Sequence, residues 1–172
     1  LETQGHEVNY ASCNKDGQVN VNEFLDKCNN DTAIASLMYA NNETGVVQQI
    51  EKIAKEVKIK NPETLFHSDV VQAVSSEKLD FHKLGIDSAA VSGHKIGGPK
   101  GIGIMFLSSK YKLPNYFHGG KQELEKRAGT VNVSGVAGLA AALKEHQDNF
   151  DNEKKRILQE REIFENELKN AL

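Results

Sequence analysis

A lysine, a carboxylate, amides, a hydroxyl and an imidazole recur in this sequence just beyond short apolar runs. Asn41-Asn42-Glu43 follows one run, His67-Ser68-Asp69 ends a second with Gln72 behind it, and Ser92-Gly93-His94-Lys95 ends a third. A lysine amine condenses with aldehydes, a carboxylate keeps a pyridine nitrogen protonated, and hydroxyl and imidazole groups hold phosphate. The set therefore suits a phosphorylated aldehyde cofactor with a pyridine ring. Such chemistry needs the groups at one mouth. In an open parallel sheet that mouth lies beyond the carboxyl ends of the strands, where loops diverge.

The elements needed to position them are legible. Residues 33–40 are a short apolar run, as expected of a strand covered on both faces. Val46, Val47, Ile50, Ile53, Ala54 and Val57 recur at helical spacing, and Asn61-Pro62 ends that helix. Leu65 to Asp69 reads as the next strand. Strand, helix and strand in this order form a βαβ crossover and predict parallel pairing. Ser88–Ser92 and residues 101–107 supply further strands, the second after the turn Gly97-Gly98-Pro99-Lys100-Gly101. Residues 6–11 alternate like a strand, and 20–28 carry a weak helical pattern. An Ala- and Gly-rich helix is predicted over 131–146 and a charged amphipathic one over 151–172. The predicted class is α/β, an open and mainly parallel sheet with helices on both faces.

Composition narrows the function classes. The chain has 172 residues, 38% hydrophobic and 26% charged, with a net charge of −3 and both signs interleaved. This describes a folded, soluble chain with no basic surface for nucleic acid and no apolar run long enough for a membrane span. Two cysteines, Cys13 and Cys28, are too few for a disulfide framework, so a reducing, cytoplasmic setting is expected. Leu1-Glu2-Thr3-Gln4-Gly5 resembles neither an initiator nor a secretory signal. With the charged final helix, it reads as a piece of something longer.

Four stretches carry a family likeness. Asn41-Asn42-Glu43-Thr44-Gly45, His67-Ser68-Asp69-Val70-Val71-Gln72, Ser92-Gly93-His94-Lys95 followed by Gly-Pro-Lys-Gly, and Arg127-Ala128-Gly129-Thr130 resemble cysteine desulfurases. These are class V, fold-type I enzymes dependent on pyridoxal 5′-phosphate (PLP). The likeness runs in order from about residue 5 to 150. It implies that Lys95 holds PLP covalently and shuttles a proton of the substrate carbon. Asp69 would pair with the pyridinium nitrogen and Gln72 with the ring's phenolic oxygen. Ser92 and His94 would bind the phosphate, and Thr130 the phosphate of a partner subunit in a homodimer. Asn42 would lie beside the cofactor and help hold the substrate carboxylate. The family takes L-cysteine to L-alanine and passes sulfur to an enzyme cysteine as a persulfide. A scaffold protein then accepts it for iron–sulfur cluster assembly.

The departures matter as much. The family's phosphate loop and ring-stacking histidine are not found ahead of these motifs, nor its persulfide-forming cysteine and small domain behind them. Cys13 and Cys28 match neither place nor context of that nucleophile, and Lys121-Gln122-Glu123-Leu124-Glu125 replaces a glycine- and arginine-containing stretch. The expected organisation is a partial PLP-binding large domain over 1–150 and a helix over 151–172 leading to a small domain. The expected activity alone is none. A selenocysteine lyase or class V aminotransferase shares much of this site, and a catalytically silent α/β structural module is the alternative from another class.

Each residue also has a plainer use. Lys95 can be a solvated surface lysine, and Asp69 and Asn42 can cap the helices that follow them. Gln72 can be a surface amide, Thr130 the cap of the 131–146 helix, and Arg127 a surface ion-pair partner. Gly97–Gly103 fails the phosphate-loop spacing and precedes a strand, so it reads as a structural turn. Residues 12–23 lay Asn, Asp, Gly and Glu at the offsets of a calcium loop, but Ser12 opens it, Lys15 opposes it and a strand precedes it. A plain turn is the better reading. His67 and Asp69 have no further His/Cys cluster to complete a metal site. The last helix sets Ile157, Phe164, Leu168 and Leu172 on one stripe, suited to packing on its own domain or to a coiled-coil partner.

Overall fold

The apolar spacing of residues 50–57 builds the core. Helix α2, Ile50–Lys60, buries Ile50, Ile53, Ala54 and Val57 on one face, the i, i+3, i+4, i+7 pattern of an amphipathic helix. It stops where expected. Asn61 leaves helical geometry while its N–H still bonds the Val57 carbonyl, and its side-chain amide donates to the carbonyls of Asn29 and Asn30, both at 3.1 Å. The preceding helix α1, Val21–Lys27, is capped by Asn20, whose side chain accepts from the Glu23 N–H.

A computed structural model describes residues 1–172, which fall into two units: Leu1–Ser92 with Gly103–Val131, and Gly93–Ile102 with Asn132–Leu172. The first unit holds a four-stranded sheet in the order β1 (Ile34–Ser36), β2 (Leu65–Asp69), β3 (Ser88–Ser92), β4 (Gly103–Leu107). β1–β2 and β2–β3 are parallel, connected through α2 and through the short helix α3, Phe81–Leu84. α3 is not apparent in the apolar pattern; Asp80 starts it by accepting from the N–H groups of His82 and Lys83, and Gly85 ends it in the left-handed region. β4 runs antiparallel to β3. Parallel pairing needs a crossover of a dozen or more residues, and the connection over 93–102 is too short, so the chain turns back.

Register assigns the two faces. Asp69 lies opposite Ala90 and His67 opposite Ser88, so His67, Asp69, Ser88, Ala90 and Ser92 share one face. Phe66, Ser68, Ala89 and Val91 lie on the other, and Phe66, Ala89 and Val91 join Ile50, Ile53 and Val57 in the core. β1 is shorter than the 33–40 run, yet the run stays beside β2. Leu37 N–H bonds the His67 carbonyl at 3.1 Å and Tyr39 N–H bonds the Asp69 carbonyl at 2.9 Å.

The expected strand over 6–11 is not formed; pairing begins only with an isolated antiparallel bridge between Cys13 and Val19. Cys13 is exposed and Cys28 buried, and burial pushes the Cys28 thiol above its ordinary pKa. In the second unit a 3-10 turn, Gly93–Ile96, precedes a glycine-rich bend. Gly98 is required there: a Cβ would stand 2.9 Å from the Gly93 carbonyl oxygen. The two helices expected over 131–146 and 151–172 are one, α4, Val133–Ala171. Its first half buries Gly135, Leu139 and Phe150, and residues 151–171 are exposed throughout. No helix is long and apolar enough to cross a membrane.

Candidate cofactor site

The loop after β1 places Asn42. An antiparallel bridge pairs Ala40 with Val47, and between them Asn41 closes the turn from inside. Its side-chain oxygen accepts from the N–H groups of Glu43 and Thr44, both at 2.9 Å, and from the Thr44 hydroxyl at 3.1 Å. Gly45, at φ 72°, returns the chain, its N–H bonding the Asn41 carbonyl at 3.0 Å. Asn42 therefore caps nothing. The helix that follows starts only at Ile50, and the Asn42 amide is left without a hydrogen bond. Because Tyr39 bonds the Asp69 carbonyl, this loop rises directly beside the end of β2.

Asp69 ends β2 half-buried, and its Oδ1 accepts from the Val71 N–H at 2.9 Å. That bond fixes the carboxylate's orientation through a local turn of the chain, not through a helix cap. Gln72 begins the 3-10 turn Ala73–Ser75, and its backbone carbonyl accepts from the Ser75 hydroxyl at 3.0 Å while its amide makes no hydrogen bond. Ser92 lies two residues beyond Ala90, the partner of Asp69, so parity sets it on the Asp69 face at the same end of the sheet. Asn42, Asp69, Gln72 and Ser92 thus gather at the carboxyl edge of the first unit. His67 belongs to that face too; its Nδ1 lies 3.2 Å from the Ser88 hydroxyl, and no cluster of metal-binding side chains surrounds it.

His94 and Lys95 lie in the second unit, in the 3-10 turn that follows β3 directly, and both are exposed. Lys95 forms no ion pair, consistent with an amine available for chemistry and equally with a solvated one. Thr130 is exposed and does not cap α4. Asn132 does, with its side-chain oxygen accepting from the Gly135 N–H at 3.0 Å. The Thr130 loop keeps its hydrogen bonds local: Ala128 N–H to the Phe117 carbonyl, Gly129 N–H to Gln122, and Lys126 to the Leu113 carbonyl. Arg127 is stacked on Phe117, its guanidinium 5.5 Å from the ring centre, where an ion pair was the plain expectation. Glu123, Leu124 and Glu125, within the stretch that departs from the family, have φ of 51°, 55° and 65°, three consecutive L-residues in the left-handed region.

Residues 12–23 form a closed turn rather than a cation loop. Asn14 accepts from the N–H groups of Asp16 and Gln18, and Glu23 is committed to the Ser12 hydroxyl and N–H and to Lys27, 2.8 Å away. The Lys27 and Ser12 hydrogen bonds hold the Glu23 carboxyl down at about 2. The turn braces the Asn42 loop from outside. Gln48 accepts from the Val19 N–H at 3.0 Å and donates to the Gly17 carbonyl at 2.9 Å, while Gln18 donates to the Val47 carbonyl at 2.8 Å. Asn41 was noted by sequence only as part of its stretch and without a role, and Gln48 not at all. Their bonds run from side chain to backbone, and the only sequence signal is an Asn four residues before a Gly.

The donor set fits a phosphorylated pyridine aldehyde. The first unit offers a carboxylate held by one backbone bond and two amides that carry no structural bond, and the second unit, by itself, an amine without an ion pair. Where a cap or turn was needed, a neighbouring residue provides it: Asn41 beside Asn42, and Asn132 near Thr130.

Comparison with known proteins points the same way. A family model described as Aminotransferase class-V matches residues 1–171. A cysteine desulfurase of Nostoc sp. (strain PCC 7120) is 44% identical over 142 residues, covering 83% of this chain and 35% of the relative. The cysteine desulfurase IscS of Clostridium botulinum (strain Hall) is 36% identical over 157 residues, covering 91% of this chain and 39% of the relative. The solved structure of a NifS-like protein superposes with a TM-score of 0.94 at 35% identity, covering 98% of this chain and 46% of that one. The chain spans less than half the length of these relatives.

Proposed function

The chain belongs to the aminotransferase class-V family, and on that premise we propose that it forms the cofactor-binding part of a cysteine desulfurase. The observation that carries this reading is the division of labour among polar residues. Asn42 and Gln72 hold amides that no fold contact uses, and Asp69 presents a carboxylate tied only to its own turn. Half-buried polar groups normally find partners, so the Gln72 amide and the Asp69 carboxylate, left open at the carboxyl edge of a sheet beside the exposed Asn42, suit a ligand there.

The roles are proposed residue by residue. Lys95 holds the cofactor aldehyde through its amine and moves the proton of the substrate α-carbon at Nζ. Asp69 keeps the pyridine nitrogen protonated, and Gln72 donates to the phenolic oxygen. Ser92 and His94 hold the phosphate, Thr130 that of a partner subunit in a homodimer, and Asn42 contacts the cofactor and helps hold the substrate carboxylate. When bound, PLP supplies the electron sink that makes bonds at the substrate α-carbon labile.

The reaction of the whole protein is L-cysteine to L-alanine, with sulfur passed as a persulfide to an enzyme cysteine. An acceptor scaffold for iron–sulfur clusters and a cytoplasmic setting complete the reading. Neither cysteine of this chain serves as that nucleophile. Burial disfavours the Cys28 thiolate, and the exposed Cys13 matches neither the place nor the context of the family's nucleophile. The chain alone therefore binds PLP and releases no sulfur. Adding PLP, reducing with borohydride and digesting is expected to leave the pyridoxyl mass on the Lys95 peptide, and Lys95→Ala abolishes it. An adduct spread over other lysines, or none at all, overturns the reading in favour of a silent module.

A further inference from the structure

We propose that Asn41 is a positioning residue: it locks the 41–46 loop so that the neighbouring Asn42 amide is presented ready-made to the ligand. The functional meaning of this rests on the PLP reading above, whereas the lock itself does not.

Three observations carry it. First, one side-chain oxygen of Asn41 satisfies two backbone N–H groups and a hydroxyl, and the Asn41 backbone closes the same turn twice, N–H to the Val46 carbonyl at 2.9 Å and carbonyl from the Gly45 N–H at 3.0 Å. Second, the two legs of the loop are anchored to the rest of the unit. Tyr39 donates to the Asp69 carbonyl and accepts from the Gln48 N–H, at 2.9 and 2.8 Å. Gln48 is in turn clamped between Gly17 and Val19. Third, Asn42 itself contributes nothing to this closure, its amide having no hydrogen bond. Adjacent asparagines have therefore divided the work, one holding the backbone and the other left for a ligand. An exposed loop that had to order itself on binding would lose affinity to that ordering; a loop locked beforehand does not.

The test uses the full chain and compares Asn41→Ala, Asn41→Asp, Asn42→Ala and the double alanine variant. Asp keeps the acceptor oxygen of the lock, and Ala removes it. Amide hydrogen exchange at Glu43 and Thr44, read without ligand, is expected to speed about tenfold in Asn41→Ala and to stay near the parent rate in Asn41→Asp and Asn42→Ala. PLP affinity is expected to fall about tenfold in both Asn41→Ala and Asn42→Ala, and no further in the double variant, because the two act through one contact. Unchanged exchange in Asn41→Ala overturns the lock. Faster exchange with PLP affinity intact, or losses that simply multiply in the double variant, overturns the positioning role. A parent chain that takes up no PLP overturns the functional reading instead, and the exchange rates still decide the lock.

Discussion

The two ends of the sheet use polar side chains in opposite ways. At the amino end Asp87, Lys58 and Lys110 are tied down. Asp87, which precedes β3, accepts from the Phe66 N–H at 2.8 Å and pairs with Lys58, and Lys58 also reaches the Thr64 carbonyl and the Tyr111 hydroxyl. Lys110 bonds the Pro62 carbonyl at 2.7 Å and Glu63 at 3.0 Å, and the Glu63 hydrogen bond raises its pKa. At the carboxyl edge of the same unit, the Asn42 and Gln72 amides bond nothing and Asp69 holds a single backbone N–H. One end spends its polar groups on the fold and the other leaves them open, as the proposed cofactor site requires. Groups that bind a ligand cannot already be satisfied by the fold, so the fold draws its polar stabilisation from elsewhere.

The largest effect comes from breaking the amino end. Asp87→Ala leaves the buried Phe66 N–H without its acceptor and Lys58 without its counter-charge, though Lys58 keeps Thr64 and Tyr111, and is expected to cost about 2–3 kcal/mol in denaturant unfolding, with Asp87→Asn losing less. A loss below about 1 kcal/mol would erase the contrast. Asp69→Ala removes only the Val71 bond, for an expected cost near 1 kcal/mol. Asn42→Ala and Gln72→Ala are expected to leave unfolding within about 0.5 kcal/mol of the parent while weakening PLP binding. A larger loss from either would make it a structural residue. The smallest effect lies at the surface. The Glu23 carboxyl sits at about 2 when folded, below its ordinary 4.5, so its contribution is fully present above pH 5 and fades as the pH falls towards 2. Glu23→Gln should flatten the acid limb of Tm against pH over that window and leave Tm unchanged in its slope above it.

How much of this was legible depended on whether the signal was local. The spacing of Ile50, Ile53, Ala54 and Val57 gave helix α2, and the runs at 65–69 and 88–92 gave parallel strands, because one period decides each. The end of α2 at Asn61 was equally plain. Alternation over 6–11 misled because no strand lies alongside to pair with it. The break expected between two helices vanished because neither Asn149 nor Asp151 is strong enough to stop a helix once both flanks favour it. At the site, residue types and their place after strands pointed to the stretches at 41–43, 67–72 and 92–95, and the family likeness named Asn42, Asp69 and Gln72 within them. What stayed hidden was which of two adjacent asparagines the local turn would use, since either offers the same oxygen, and that Gln48 would brace the loop from a segment about 30 residues away. The cap of α4, which Thr130 could also have supplied, belongs to Asn132: several residues offered an oxygen and geometry chose one.

The far half of α4 obeys a different physics from the sheet. Beyond Phe150 about six turns stand in water, held by short-range pairs such as Arg156 with Glu160 at 2.7 Å and Arg161 with Glu165 at 3.2 Å. Nothing couples those turns to the collapse of the core, so they follow helix–coil statistics and fray progressively with temperature and added salt instead of melting all at once. A circular-dichroism trace of this protein is therefore a superposition of two curves: a gentle slope from the rod and a sigmoid from the sheet.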